Sequence, residues 1–394
     1  MGDPLFRDGV DGAVLLIVVV KAAVVFGALL VAVLFMIWFE RKVIADMHSR
    51  IGPNRAGPFG ILQTLADGIK LFFKEDLLPE QADRRVFRLA PYLSIVPAFL
   101  AFAVVPVGGA ISVAGHDTIL QLADPPIGVL FLLAMSAVAV YGVMLAGWSS
   151  GSKYPLLGAV RASAQMVSYE AALGLSTATV VLESGSLSTA AIVADQAVWR
   201  WNLVSLGFVP FVIFVIAATA ELNRPPFDLV EAEQELVGGF HTEYSSVRFA
   251  LFFLAEFMNT ITMSAIVVTL FLGGPSGPEI DFLPSLWPVV WFLLKVLAFL
   301  FGYVWLRATL PRFRYDQLMD LGWKKLIPLS LGWLLLIAAI RIGEDRDWSF
   351  ALTFFGGLAA LAVAWALLQV AVRVGRQAAE VPPTPAPAPE EVSA

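Results

Sequence analysis

The residues able to do chemistry gather in one stretch. AELNRPPFDLVEAEQELVGGFHTEYSSV, from Ala220 to Val247, carries six carboxylates (Glu221, Asp228, Glu231, Glu233, Glu235 and Glu243) against a single arginine, Arg224. Two further acids fall inside apolar runs: Glu170 in RASAQMVSYEAALGLSTATVVL and Glu256 in FALFFLAEFMNTITM. Measured from the cytoplasmic end of its run, Glu170 lies about 20 Å and Glu256 about 14 Å deep at 1.5 Å per residue. A lone charge at mid-bilayer costs at least about 2.5–3.5 kcal/mol, so such groups face the protein interior, pair up or stay neutral. Lys295, also inside an apolar run, obeys the same rule. Each acid alone reads as readily as a structural group, an ion pair or a protonated, hydrogen-bonded carboxyl, as it does as a functional one. Together the acids form a graded series: loop, membrane edge (Glu221), shallow depth (Glu256), mid-depth (Glu170). That series suits a proton path, because carboxylates clustered in low dielectric titrate as a coupled set. The loop acids also admit a plainer reading. Asp228 with Glu231 three residues on resembles a capping box, which explains Glu233 and Glu235 less well.

The elements that must position these groups are membrane helices. Of 394 residues, 58% are hydrophobic and 15% charged, and the mean hydropathy is +0.79. A soluble domain carries more charge than this. Nine spans are predicted: Ala13–Phe39, Leu89–Val107, Ile127–Trp148, Leu156–Leu182, Leu203–Leu222, Val247–Leu272, Leu286–Leu306, Leu326–Ile340 and Phe350–Val374. They make residues 1–375 one membrane-embedded helical domain. The Pro/Ala-rich residues 376–394 are expected to be a disordered cytoplasmic tail. Loops after the first, third, fifth and seventh spans, with the C-terminal end, hold 20 of the 26 Lys and Arg. The N-terminus is therefore predicted outside and the C-terminus in the cytoplasm, which makes the acidic loop cytoplasmic. The N-terminal segment lacks the basic region and cleavage signal of a removable signal peptide.

Two cytoplasmic segments matter for the site. In PFGILQTLADGIKLFFKE, Leu62, Leu65, Ile69 and Phe72 share one helical face; Gln63, Asp67, Lys70 and Lys74 share another. That pattern predicts a helix lying in the interface plane or packing on the protein's own cytoplasmic face. The basic loop RATLPRFRYDQLMDLGWKKL, with Arg307, Arg312, Arg314, Lys324 and Lys325, suits lipid headgroups or docking of a peripheral protein. Some chemistry is excluded. With no cysteine, the chain has no disulfide, no CxxCH haem attachment and no thiolate-held cluster. Its three histidines, His48, His116 and His241, are far apart, and no metal or nucleotide motif is present.

ERKVIADMHSRIGPNRAGPFGILQTLADGIKLFFKE, QMVSYE, AELNRPPFDLVEAEQELVGGFHTEYS and RATLPRFRYDQLMDLGWK together resemble the H-subunit family of bacterial NADH–quinone oxidoreductase, respiratory complex I. The mitochondrial counterpart is NADH dehydrogenase subunit 1. The resemblance runs from about Phe35 to Pro328. It implies an all-α polytopic membrane bundle of eight core transmembrane helices, which the ninth span and the tail exceed. It also implies a non-redox subunit, inactive alone, in the inner (plasma) membrane of a bacterium. The chain would bind no cofactor or metal, with FMN and iron–sulfur clusters residing in partner subunits and quinone as substrate. Its partners would be cluster-carrying peripheral subunits, small membrane subunits leading to the pumps, quinone and lipid, with no nucleic acid. Carried onto this sequence, Glu40, Arg41 and Asp67 would border the quinone path. Arg224, Asp228, Glu231, Glu233 and Glu235 would lie beneath the quinone chamber. Glu221, Glu256 and Glu170 would begin the proton path, and Arg312 and Arg314 would serve peripheral docking. The same subunit type occurs in related membrane-bound hydrogenase-type complexes. A stand-alone ion-coupled transporter is disfavoured by the lack of a clear internal repeat.

Overall fold

The computed structural model describes residues 3–6, 9–113, 115–196, 200–229, 237–278 and 282–379. The predicted tail beyond residue 379 and the acids Glu231, Glu233 and Glu235 lie outside them. The chain divides into two compact units, Met1–Ser330 and Leu331–Ala394.

The larger unit opens with α1 (Gly12–Met47), capped by the Asp11 carboxylate, which accepts from the Val14 N–H at 2.8 Å. At 36 residues α1 is about 54 Å long, against a hydrocarbon core of about 30 Å. Glu40 and Arg41 fall toward its C-terminal end. The interfacial helix α2 (Gln63–Phe73) follows. Leu62, Leu65, Ile69 and Phe72 are 49%, 47%, 50% and 72% exposed, so the protein leaves its apolar face uncovered. That favours a helix laid on the membrane surface over one packed on its own chain. α3 (Arg84–Phe102) starts five residues before the predicted span because Asp83 caps it, accepting from the Arg85 and Val86 N–H groups. A two-stranded antiparallel hairpin, β1 (Ala110–Val113) and β2 (His116–Ile119), crosses to α4 (Gly128–Ser149) and α5 (Lys153–Ser184). Lys21 is tied to this hairpin, its ammonium donating to Asp3 and Thr118 at 2.9 Å each.

α5 ends at Gly185, and α6 (Thr189–Asp195) turns away by 60°. The predicted fifth span is interrupted. α7 (Asn202–Ser205) is separated from α8 (Phe208–Glu221) by Gly207 at φ +74°. At 14 residues α8 covers about 21 Å, less than the hydrocarbon core. α9 (Ser246–Phe271) is the most deeply enclosed of the long helices, and α10 (Trp287–Thr309) lies beside it. The predicted eighth span, Leu326–Ile340, is shorter than the continuous helix that contains it. α11 (Tyr315–Leu321), a π-helical turn at Gly322–Leu326 and α12 (Ile327–Asp345) run on without a break, through polar residues that hydropathy does not count. α13 (Phe350–Ala379) completes the smaller unit. Among the described residues, seven helices are long and apolar enough to cross a membrane, or eight if the bent α5–α6 pair forms one span. The molecule is thus a polytopic helical bundle.

Within lipid, tight helix contact depends on small residues. Ala146, Ala159 and Ala162 are fully buried where α4 meets α5. Where α3 crosses α4, a Cβ on Gly142 would lie 2.8 Å from the Ser94 nitrogen and 3.0 Å from the Leu93 carbonyl carbon. Gly142→Val is therefore expected to force α3 away, at about 1–3 kcal/mol for overpacking or more. Thermal unfolding of the detergent-solubilised protein should show a lowered midpoint, and an unchanged one would refute the close crossing.

The intramembrane lysine also finds its partners. Lys295 Nζ donates to the carbonyls of Leu272, Gly274 and Ser276 at 2.7, 2.9 and 2.7 Å and sits 5.2 Å from the Trp201 ring. It binds the carbonyls at the C-cap of α9 and in the turn after it, so the charge serves backbone acceptors rather than a carboxylate.

Candidate functional site

The loop after α8 is the pivot. Gln165 on α5 holds it by donating to Ala220 O at 2.7 Å, Asn223 Oδ1 at 3.1 Å and Phe227 O at 2.9 Å. Asn223 adopts a left-handed conformation, φ +51°, which asparagine tolerates better than most residues. The turn aims Arg224 inward, where it is 2% exposed. Its Nη1 donates to Glu40 Oε2 at 2.6 Å, its Nε lies 3.2 Å from Glu256 Oε1, and its guanidinium lies 4.5 Å from the Phe257 ring centroid. Arg307, at the end of α10, pairs with the other Glu40 oxygen. Two glutamates and two arginines thus balance. Glu40 is 4% exposed, and a charge so buried persists only when paired and hydrogen-bonded.

Two cavities flank this cluster. The wider, about 710 Å³, is bordered by Glu40, Arg41 and Arg307 on one side and Ile37, Ile44, Phe253 and Phe257 on the other. The narrower, about 250 Å³, contains Glu221, Glu256, Asn223, Asn259, His241 and Ser94 in its lining. Its size and these polar groups on an otherwise apolar wall suit water. Glu256 has 27% of its side chain accessible and lines this cavity. Glu221 is buried and hydrogen-bonded by the Ser136 hydroxyl. A smaller void continues past Glu221 along Ser136, Asn259 and Thr262.

The structure therefore joins Glu40, Arg224 and Glu256, which sequence reading assigned to three different elements, and brings Glu221 to the same cavity as Glu256. Glu170 stands apart. It is half-buried on α5 outside that cavity's lining, yet near enough to Glu221 for their charges to interact. Asp67 bridges α2 to α1 through Arg41 at 2.6 Å and also accepts from Gln63. Asp228 takes Arg312 at 2.9 Å, so this arginine closes the site from the basic loop. The helix Asp228 could cap would begin in residues 230–236, outside the described residues. Arg314 stays at the surface beside Asp316. The sequence places Arg307 only within a basic loop. Its place in the last turn of α10 was the available signal, but nothing local distinguished it from its neighbours.

The segment after the acidic stretch walls one side of the narrow cavity, through Phe240 and His241. Gly239 crosses Gly158 of α5 so closely that a Cβ on Gly158 would lie 2.8 Å from its backbone. Tyr244 stacks on Phe87 at 3.9 Å and donates to the Phe87 carbonyl at 3.0 Å. His241 sits between Phe240 and Phe249, and burial pushes its imidazole down to about 4. The fold thus favours neutral His241, while the unfolded chain binds its proton near 6.5. Stability is full above that pH and is lost as pH falls toward about 4. Hydrogen exchange of residues 237–245, corrected for intrinsic rates, should show protection falling by about an order of magnitude from about pH 7 to about pH 5. His241→Gln should abolish that difference.

A bundle of apolar helices that buries a balanced cluster of glutamates and arginines beside a cavity lined by Glu221 and Glu256 defines an integral membrane protein with an internal ionisable site. A family model described as NADH dehydrogenase matches residues 20–338. The chain is 56% identical over 335 residues to the H subunit of NADH-quinone oxidoreductase from Frankia casuarinae, covering 84% of this chain and 74% of that protein. It is 53% identical over 344 residues to the corresponding protein of Streptomyces avermitilis, covering 85% and 75%. The chain belongs to the NADH dehydrogenase family, as a relative of these H subunits, and is a membrane component of respiratory complex I. α13 lies beyond the matched region.

Proposed function

We propose that this protein forms the membrane-side entrance of the quinone chamber and passes the consequence of quinone reduction to buried carboxylates that feed proton pumping. The observation that carries this reading is the continuous ion-pair line Glu40–Arg224–Glu256, which joins the wide cavity to the one holding Glu221. The wide cavity is the quinone entrance, with α2 laid at its membrane edge and Arg41–Asp67 fastening α2 to α1. Its apolar wall takes an isoprenoid chain and its charged rim faces the headgroup. Two electrons from partner clusters and two protons convert quinone to quinol. A unit charge appearing about 10 Å from a carboxylate shifts its energy by about 1.7 kcal/mol at an effective dielectric of 20, but about 0.4 kcal/mol through water. Glu256, held on Arg224, is the receiver. Glu221 and then Glu170 continue the path, with Asp228 and Glu231, Glu233 and Glu235 beneath the chamber.

In this reading FMN and the iron–sulfur clusters belong to partner subunits, Arg312 and Arg314 help seat the peripheral arm, and the chain is inactive alone. The N-terminus faces outward and the C-terminus the cytoplasm of a bacterial plasma membrane, as the distribution of basic loops supports. The test is a photoreactive quinone analogue applied to the intact complex, with labelled peptides mapped. Labels should fall on Ile37–Pro53, Phe253–Phe257 and Arg307–Ala308. Labelling confined to other parts of the chain would remove the chamber assignment.

A further inference from the structure

The two cavities meet at a single side chain. Among the described residues, Phe253 alone lines both the wide cavity and the narrow one. It stands in an aromatic ladder along α9, with ring centroids 6.2 Å from Phe249 and 4.8 Å from Phe257. The next rung, Phe257, carries the Arg224 guanidinium at 4.5 Å. Beside this wall runs the polar crossing: Arg224 reaches Glu40, on the wide cavity, through Nη1 and Glu256, on the narrow one, through Nε.

We infer that Phe253 is a septum that keeps the contents of the two cavities apart, so that charge changes in one reach the other through Arg224 rather than through shared water. Resting on the function proposed above, this assigns Phe253 a positioning role, acting through the medium around the Glu40–Arg224–Glu256 line and not by touching reacting atoms. Its physical basis is the dielectric. A ring filling the partition keeps Arg224, 2% exposed between the two carboxylates, in a poorly screened medium. Trimming it to a methyl group admits water, each molecule needing about 30 Å³. Coulomb coupling then falls as the effective dielectric rises from about 20 toward 80, a loss of up to about fourfold.

The experiment uses the complete complex reconstituted in liposomes, with protons moved per NADH oxidised as the readout. Phe253→Ala is expected to lower that ratio, whatever its turnover. Phe253→Leu, which refills most of the space, should hold the ratio near the parent value. A purely structural role would lower turnover and yield together and leave the ratio unmoved. Should Phe253→Ala fail to assemble, Phe253→Val replaces it, and the ratio must then fall below that of Phe253→Leu. A parent ratio in the smallest assembling variant, or an equal loss in Phe253→Leu, overturns the septum. The quinone analogue applied to the same preparations separates the two ideas. Parent-like labelling of the wide cavity with an unmoved ratio defeats the septum alone, whereas absence of label there defeats the functional reading on which it rests.

Discussion

Arg224→Lys is expected to lose most quinone-linked turnover although it keeps the charge. The guanidinium serves two carboxylates from two different nitrogens, Nη1 to Glu40 at 2.6 Å and Nε to Glu256 at 3.2 Å, and lies over Phe257. A lysine ammonium is a single point and cannot hold both. One lost charge-assisted hydrogen bond costs about 1.5–3 kcal/mol. Expressed in the rate-limiting step, that is roughly 10- to 100-fold in turnover. Arg224→Ala should be worse. It leaves Glu40 with Arg307 and Glu256 without its guanidinium, and breaking a buried pair costs about 3–5 kcal/mol. Part of that loss should appear as failed assembly. NADH:quinone turnover in membranes, read beside a native gel of the complex, checks both, and parent-like turnover in Arg224→Lys would remove Arg224 from the centre of the site.

The second large effect is expected at the buried acids. Glu256→Gln preserves size and can still accept from Arg224 Nε, so the complex should assemble. It cannot bind or release a proton, and it leaves two arginines facing Glu40 alone. Removing a positioned proton carrier typically costs about 10²–10⁴ in the step it serves. Proton movement coupled to NADH oxidation should therefore be severely impaired. Glu170→Gln should impair it too, through its electrostatic link to Glu221 rather than through the shared cavity. Assembly should survive in both. Full pumping by both variants would refute the carboxylate path.

The architecture was largely legible beforehand, for reasons that lie in local pattern. A bilayer demands about 20 apolar residues per helix, so α1, α4, α9, α10 and α13 announce themselves. The apolar face of α2 follows from the spacing of Leu62, Leu65, Ile69 and Phe72, and the structure leaves that face uncovered. Boundaries were less legible where a cap or a break outweighs hydropathy. Asp83 starts α3 among charged residues, Gly207 divides the fifth apolar run, and α11 extends the eighth through polar sequence.

Residue types alone established that Glu170, Glu256 and Lys295 could not face lipid uncompensated. They could not name the partners. Lys295 pairs with carbonyls and not with an acid. Glu40 meets Arg224 across 184 residues and Arg307 across 267, and no periodicity encodes such a meeting. The same holds for Asp228, whose local pattern offered a helix cap while the fold supplies Arg312. Membrane insertion selects composition segment by segment, and that much is written along the chain. Which charges neutralise one another depends on how helices cross, and helix crossing is decided by small residues such as Gly142 meeting surfaces distant in sequence.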